Sequence, residues 1–184
     1  MRVIAGSARR LLLKTVDGME TRPTTDRIKE TLFNMLQNEL YGASFLDLFA
    51  GSGAIGIEAL SRGAKEAVFV DHGDRQISCI RENLKTTRLE EKARVMESEV
   101  TTALRKLSLD GKTFDFIFMD PPYRMDLPRK VLETIKDTCL ADEDTVIIIE
   151  EALEADVSWA ASLGYEIVKS KEYKTNKHIF LRKK

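Results

Sequence analysis

Long hydrophobic runs are absent from this chain of 184 residues. No stretch approaches the ~20 apolar residues that a membrane-crossing helix requires, which leaves no candidate span. The opening MRVIAGSARR lacks the apolar core of a secretory signal. Cysteine is scarce: Cys79 and Cys139 stand far apart, without metal-ligand spacing. They read as unbridged thiols in a reducing cytoplasm, the expected location. His72 and His178 are isolated, and no metal is expected at either. Repeats, low-complexity tracts and linkers are missing as well. What is present, 43% hydrophobic and 32% charged residues, suits one soluble domain over 1–184, expected to act as a monomer.

Net charge is nearly absent, at −1, yet it is unevenly spread. Residues 1–14 carry Arg2, Arg9, Arg10 and Lys14 and no acid, a charge of +4. Residues 169–184 carry seven basic groups against Glu172, a charge of +6, which leaves −11 for 15–168. Basic ends on an acidic body suit a polyanion-facing patch if the ends meet, and ordinary solvated termini if they do not.

From residue 44 the chain alternates two patterns. The short apolar runs 44–49, 67–71, 93–97, 114–120 and 145–150 suit strands covered on both faces. Helical spacing appears in Ala54, Ile57, Ala59 and Leu60, in Ile77, Ile80 and Leu84, and in Leu127, Val131, Leu132 and Ile135. That order predicts an α/β, doubly wound, mainly parallel sheet. The runs 165–173 and 177–182 are too close for a helical crossover and must pair antiparallel. The sheet then has seven strands and ends in a reversed hairpin, as class I methyltransferases do and plain dinucleotide folds usually do not. Ahead of it, 25–40 reads as an amphipathic helix with Ile28, Leu32, Met35 or Leu36, and Leu40 on one face. A small β-hairpin is expected within residues 1–14. Residues 1–24 would form an extension to a catalytic core over 25–184.

The stretch DLFAGSGAIG, residues 47–56, contains G-x-G-x-x-G after a strand and at the start of a helix. Gly51 and Gly53 allow a tight turn and a close approach to a ligand. A dinucleotide would rest its pyrophosphate on the helix N-terminus. S-adenosylmethionine has no phosphate but carries an ammonium, which Asp47, just before the glycines, is placed to meet directly or through water. Asp71 would accept hydrogen bonds from ribose hydroxyls in either ligand. Asp47 favours the methyl donor.

At the end of the fourth apolar run stands DPPY: Asp120, Pro121, Pro122 and Tyr123. Ligands of open α/β sheets bind beyond the carboxyl ends of the strands, which puts this turn beside the glycines. The prolines fix φ and remove two N–H donors, leaving carbonyls turned outward. An exocyclic base amine is a weak nucleophile whose hydrogens need rigid acceptors. Asp120 and the Pro121 carbonyl supply them, and Tyr123 supplies a ring for stacking. A proline-stiffened turn with no chemistry is the plain alternative.

These blocks, with MRVIAGSARR, the run 21–27 (TRPTTDR), KETLFNML and DLFAGSGAIGIEALSRGA, resemble the bacterial small-subunit rRNA guanine-N2 methyltransferase family nearly end to end. The resemblance implies a Rossmann-like class I fold, S-adenosylmethionine as cofactor, and 16S rRNA as partner within an assembly intermediate. Guanine 966, in the usual RNA numbering, is the implied target. It puts Asp47, Phe49, Ala50, Gly51, Ser52, Gly53, Asp71 and His72 at the cofactor and Asp120–Tyr123 at the target amine. Glu99 falls where relatives often carry Asp against the adenine amine, and Lys174 near a place where they often carry glycine. Arg9, Arg10 and Arg22 are the RNA-contact candidates, Arg22 equally an ion-pair partner. An adenine-N6 DNA methyltransferase, a nicotinamide oxidoreductase and a non-catalytic RNA-binding assembly factor remain the rivals.

Overall fold

The computed structural model describes residues 1–16, 26–122 and 126–184. Seven strands are laid down in chain order: β1 Ser44–Leu48, β2 Glu66–Asp71, β3 Ala93–Glu97, β4 Phe116–Met119, β5 Val146–Ala152, β6 Tyr165–Glu172 and β7 Asn176–Lys183. They form one sheet in the order β3-β2-β1-β4-β5-β7-β6. β1 to β5 are parallel, and β7 runs antiparallel to both β5 and β6. Five helices accompany them: α1 Asp26–Leu40, α2 Ala54–Ser61, α3 Asp74–Thr87, α4 Val100–Leu109 and α5 Leu127–Ile135. The expected architecture is met, including the reversed hairpin. Its turn at Lys174 and Thr175 closes with Tyr173 N–H donating to the Asn176 carbonyl at 2.8 Å, and needs no positive φ.

Period-two alternation divides the core between the two faces. Phe45, Phe69, Phe116, Phe118 and Ile148 pack against Leu32 and Phe33 of α1, Ile57 of α2 and Ile80 of α3. Leu46, Val68, Ile117, Met119 and Ile149 pack on the other face against Leu104 and Leu107 of α4 and Leu132 of α5. Helix α4 has no counterpart in the sequence reading. Its buried Val100, Ala103, Leu104 and Leu107 do follow helical spacing, but Thr101, Thr102, Arg105 and Lys106 between them dilute the signal.

The N-terminal hairpin reduces to one antiparallel bridge, Arg2↔Leu12, around a tight loop. Burial of α1 also differs from the expected stripe: Lys29 and Phe33 are buried, while Ile28 and Met35 are only partly covered. The cause is Glu58 of α2, fully buried beneath the N-terminal segment. Its carboxylate accepts the Ile4 and Ala5 N–H groups at 2.9 and 3.0 Å. It also pairs with Arg62 at 2.8 Å and Lys29 at 3.2 Å. Lys29 in turn donates to the Arg2 carbonyl at 2.6 Å. Burial lowers the Lys29 pKa against the opposing pull of Glu58. Residues 1–14 are thus clamped to α1 and α2.

Candidate active site

The chain leaves each parallel strand at the same edge of the sheet, and the expected site residues gather there. Alternation puts Asp47 with Phe45, Asp71 with Phe69, Asp120 with Phe118 and Glu150 with Ile148, so four acids share the face that holds α1 to α3.

After β1 the backbone turns through three left-handed residues, Phe49 (φ 58), Gly51 (φ 57) and Gly53 (φ 77). Positive φ is uncommon for phenylalanine and strains the loop. Hydrogen bonds hold it: Ala50 N–H to the Val70 carbonyl at 3.0 Å, Gly53 N–H to the Ala50 carbonyl at 2.7 Å, and Asn83 Nδ2 to the Ser52 carbonyl at 2.9 Å. Asn83 Nδ2 also reaches the Lys14 carbonyl at 3.0 Å, tying the N-terminal segment to the loop. Around Gly51 a Cβ would meet open space. At Gly56 a Cβ would fall 2.4 Å from Phe69 Cε1, so the third glycine of the pattern serves helix–sheet packing.

The two loop carboxylates have different environments. Asp71 Oδ2 accepts the Gly51 N–H at 2.9 Å and Oδ1 the Gly73 N–H at 3.1 Å, leaving lone pairs for further donors. Asp47 is 2% exposed and accepts the Gly56 N–H at 2.8 Å, fixing the first turn of α2. Burial raises its pKa to about 8; the Gly56 bond opposes this and the Asp71 charge adds to it. Asp47 is therefore largely protonated at neutral pH until a cation approaches.

Past β4, Pro121 is buried and Pro122 exposed, while Tyr123 lies outside the described residues. The Asp120 pKa stands well above the usual carboxylate range, first through burial, then through the charges of Glu150, Asp47 and Glu151. The sequence reading missed Glu150 and the groups around it. Glu150 accepts from Asn176 Nδ2 and lies 3.1 Å from His178 Nε2. His178 Nδ1 lies 3.2 Å from the Tyr173 hydroxyl, whose pKa rises to about 12 through burial and then the Glu150 charge. His178, read as an isolated histidine, is fully buried at the centre of this cluster. No local pattern announces it, because β5 and β7 meet only in the folded sheet.

The other expected residues scatter. His72 follows β2, exposed, 4.0 Å from Asp71. Glu99 is exposed at the N-cap of α4, beyond β3 at the same edge, and its side chain makes no capping bond. Arg9 and Arg10 are exposed, form no ion pair with described residues, and sit by Ser61 at the far end of α2 from the glycine loop. Arg22 lies outside the described residues. The basic ends do not join: α1 lies between them, with Lys29 against the N-terminal segment and Glu39 3.5 Å from Arg182.

Three comparisons bear on this arrangement. The family model described as conserved hypothetical protein 95 matches residues 1–182. A candidate rRNA methyltransferase of Bacillus subtilis, YlbH, is 41% identical over 157 residues, 85% of each chain. Ribosomal RNA small subunit methyltransferase D of Escherichia coli is 37% identical over 155 residues, 84% of this chain and 76% of the relative. The solved structure of the candidate methyltransferase yhhF from Escherichia coli superposes with a TM-score of 0.84 at 30% identity, covering 100% of this chain and 98% of that one.

Proposed function

The chain belongs to the conserved hypothetical protein 95 family, and from that premise we propose that it methylates the exocyclic N2 amine of a guanine in small-subunit rRNA. The cofactor is S-adenosylmethionine. The observation that carries the reading is Asp120 on a proline-stiffened turn, on the same face and edge of the sheet as the loop of Gly51 and Gly53.

The residues present suit that cofactor. The open space at Gly51 leaves room against the loop, and the first N–H groups of α2 favour a carboxylate. Asp47 would hold an ammonium and Asp71 the ribose hydroxyls; His72 and Glu99 border the adenine end. When bound, the cofactor supplies a methyl group on a sulfonium, which needs no activation by the protein.

Asp120 and the Pro121 carbonyl accept hydrogen bonds from the two N–H groups of the target amine, fixing its orientation and drawing the nitrogen toward a pyramidal shape. Once methylated, the nitrogen is a strong acid and releases its extra proton without a dedicated base. Tyr123 stacks on the base, a contact worth ~1–3 kcal/mol in single-strand binders. Rate enhancement comes from position and from acceptors already in place. Arg9 and Arg10 grip phosphates at a distance, and Arg22 is assigned there too. One monomeric domain, 1–184, acts in the cytoplasm on a small-subunit assembly intermediate whose target guanine is flipped out.

The test is transfer of labelled methyl to naked small-subunit rRNA, to partly assembled subunits and to DNA. Label in rRNA or subunits supports the reading; label in DNA alone replaces it with the adenine-N6 alternative.

A further inference from the structure

A buried cluster beside Asp120 takes no part in the chemistry above. Glu150, Asn176 and His178 are 5%, 6% and 0% exposed, and the hydroxyl of half-buried Tyr173 lies 3.2 Å from His178 Nδ1. Glu150 Oε1 accepts from Asn176 Nδ2, and Oε2 faces His178 Nε2 at 3.1 Å. One atom is left over: Asn176 Oδ1 is the buried side-chain oxygen without a hydrogen bond among the described residues. Glu150 Oε1 accepts from the NH₂ of the amide, which leaves Oδ1 as the unsatisfied group. A buried acceptor without a donor costs free energy, and native structures keep few of them.

Strand register places this acceptor near the target site. β4 and β5 pair through Met119↔Ile149, so Asp120 stands level with Glu150. β5 and β7 pair through Glu150↔His178 and Ala152↔Asn176, which puts Asn176 two residues beyond the level of Glu150 toward the strand ends. His178 touches Phe118 edge-on, ring centres 5.9 Å apart, so His178, Asn176, Glu150 and Asp120 lie on one face. Through its bond to Glu150, the Asn176 amide adjoins the residue that stands level with Asp120, two strands away.

Resting on the proposed transfer to a guanine amine, we infer that Asn176 determines specificity for guanine, its Oδ1 accepting the N1–H beside the reacting N2 amine. Guanine presents two adjacent donor groups along that edge. Adenine and cytosine present a ring nitrogen acceptor beside their amines, which would meet Oδ1 lone pair to lone pair. Asp120 and Pro121 accept hydrogen bonds from the amine while Asn176 reads the neighbouring position. Glu150 and His178 are positioning residues that hold the amide in this orientation.

The test compares RNA carrying guanine or 2-aminopurine at the target; 2-aminopurine keeps the N2 amine and lacks N1–H. For the wild-type protein, kcat/KM is expected to favour guanine by at least about tenfold, the scale of one lost hydrogen bond at a site left unpaired. In Asn176→Ala the guanine value falls, the 2-aminopurine value holds, and the ratio moves toward one. His178→Gln reduces the ratio part of the way. Binding of S-adenosylhomocysteine, measured by calorimetry, reports whether each variant folds. Equal use of both bases by the wild-type protein overturns the assignment without recourse to any variant. So does an unchanged ratio in a folded Asn176→Ala protein. Absence of methyl transfer to either RNA instead removes the guanine reading on which it rests.

Discussion

A carboxyl group with a pKa of about 8, such as that of Asp47, carries its charge only part of the time at neutral pH. An ammonium brought against it shifts the balance to the carboxylate, so cofactor binding near pH 7 should release about one proton. Calorimetry of S-adenosylhomocysteine in buffers of differing ionisation enthalpy measures that release, and Asp47→Asn should abolish it. The same group affects folding. Its folded-state pKa lies above the unfolded value of 3.8, so its stabilising contribution is complete below that value and is lost as pH rises toward 8. Asn retains an acceptor for the Gly56 N–H, so urea midpoints of Asp47→Asn should fall less across that window than those of the wild-type protein. For Asp120, replacement by Ala should leave S-adenosylhomocysteine affinity nearly unchanged and cut turnover by about 10²-fold or more. Unchanged turnover would remove Asp120 from the mechanism. The gathering of Asp47, Asp71 and Asp120 at one edge of the sheet was legible in the sequence because Asp71 and Asp120 close apolar runs and Asp47 lies in one just ahead of the glycines. Glu150, Asn176 and His178 were not, since they meet through a β5–β7 pairing that local spacing does not encode.

At the scale of elements, α2 links the site to the rest of the fold. Its third glycine is set by contact with Phe69, so Gly56→Ala should cost about 1–3 kcal/mol, read from denaturant unfolding, and weaken cofactor binding. The role of Gly56 was readable from G-x-G-x-x-G, whose spacing describes strand–turn–helix packing before it describes any ligand. Two residues further along α2, Glu58 gathers Lys29, Arg62 and the N–H groups of Ile4 and Ala5. Glu58→Ala leaves the buried Lys29 without its carboxylate partner, a loss of about 3–5 kcal/mol. Hydrogen exchange should then show residues 1–14 released first. Periodicity located α1, yet it assigned Ile28 to the core where Lys29 lies, because a lysine enters a core only when a distant carboxylate awaits it. Helix α4 escaped notice for a related reason: its four buried residues are interleaved with polar ones over only ten positions.

For the whole molecule, charge separates into two basic regions with α1 between them. Arg9 and Arg10 follow Ala8, which bonds Ser61 at the end of α2 opposite the glycine loop, so the phosphate contacts proposed for them would lie remote from the target base. Replacing each with Ala should weaken RNA binding and lower the slope of log affinity against log salt by about 1 per residue, with kcat at saturating RNA unchanged. The two basic ends were legible in the charge count, but the single patch they would form by meeting is not made: the sheet order carries β7 away from α2. The central claim is one of chemistry at one atom, and nucleoside analysis tests it most directly. RNA from small subunits treated with the protein and labelled S-adenosylmethionine is digested, and the labelled nucleoside is identified by mass spectrometry. N2-methylguanosine, lost with Asp120→Ala, is expected; label in N6-methyladenosine, or in no nucleoside at all, would overturn the assignment to a guanine amine.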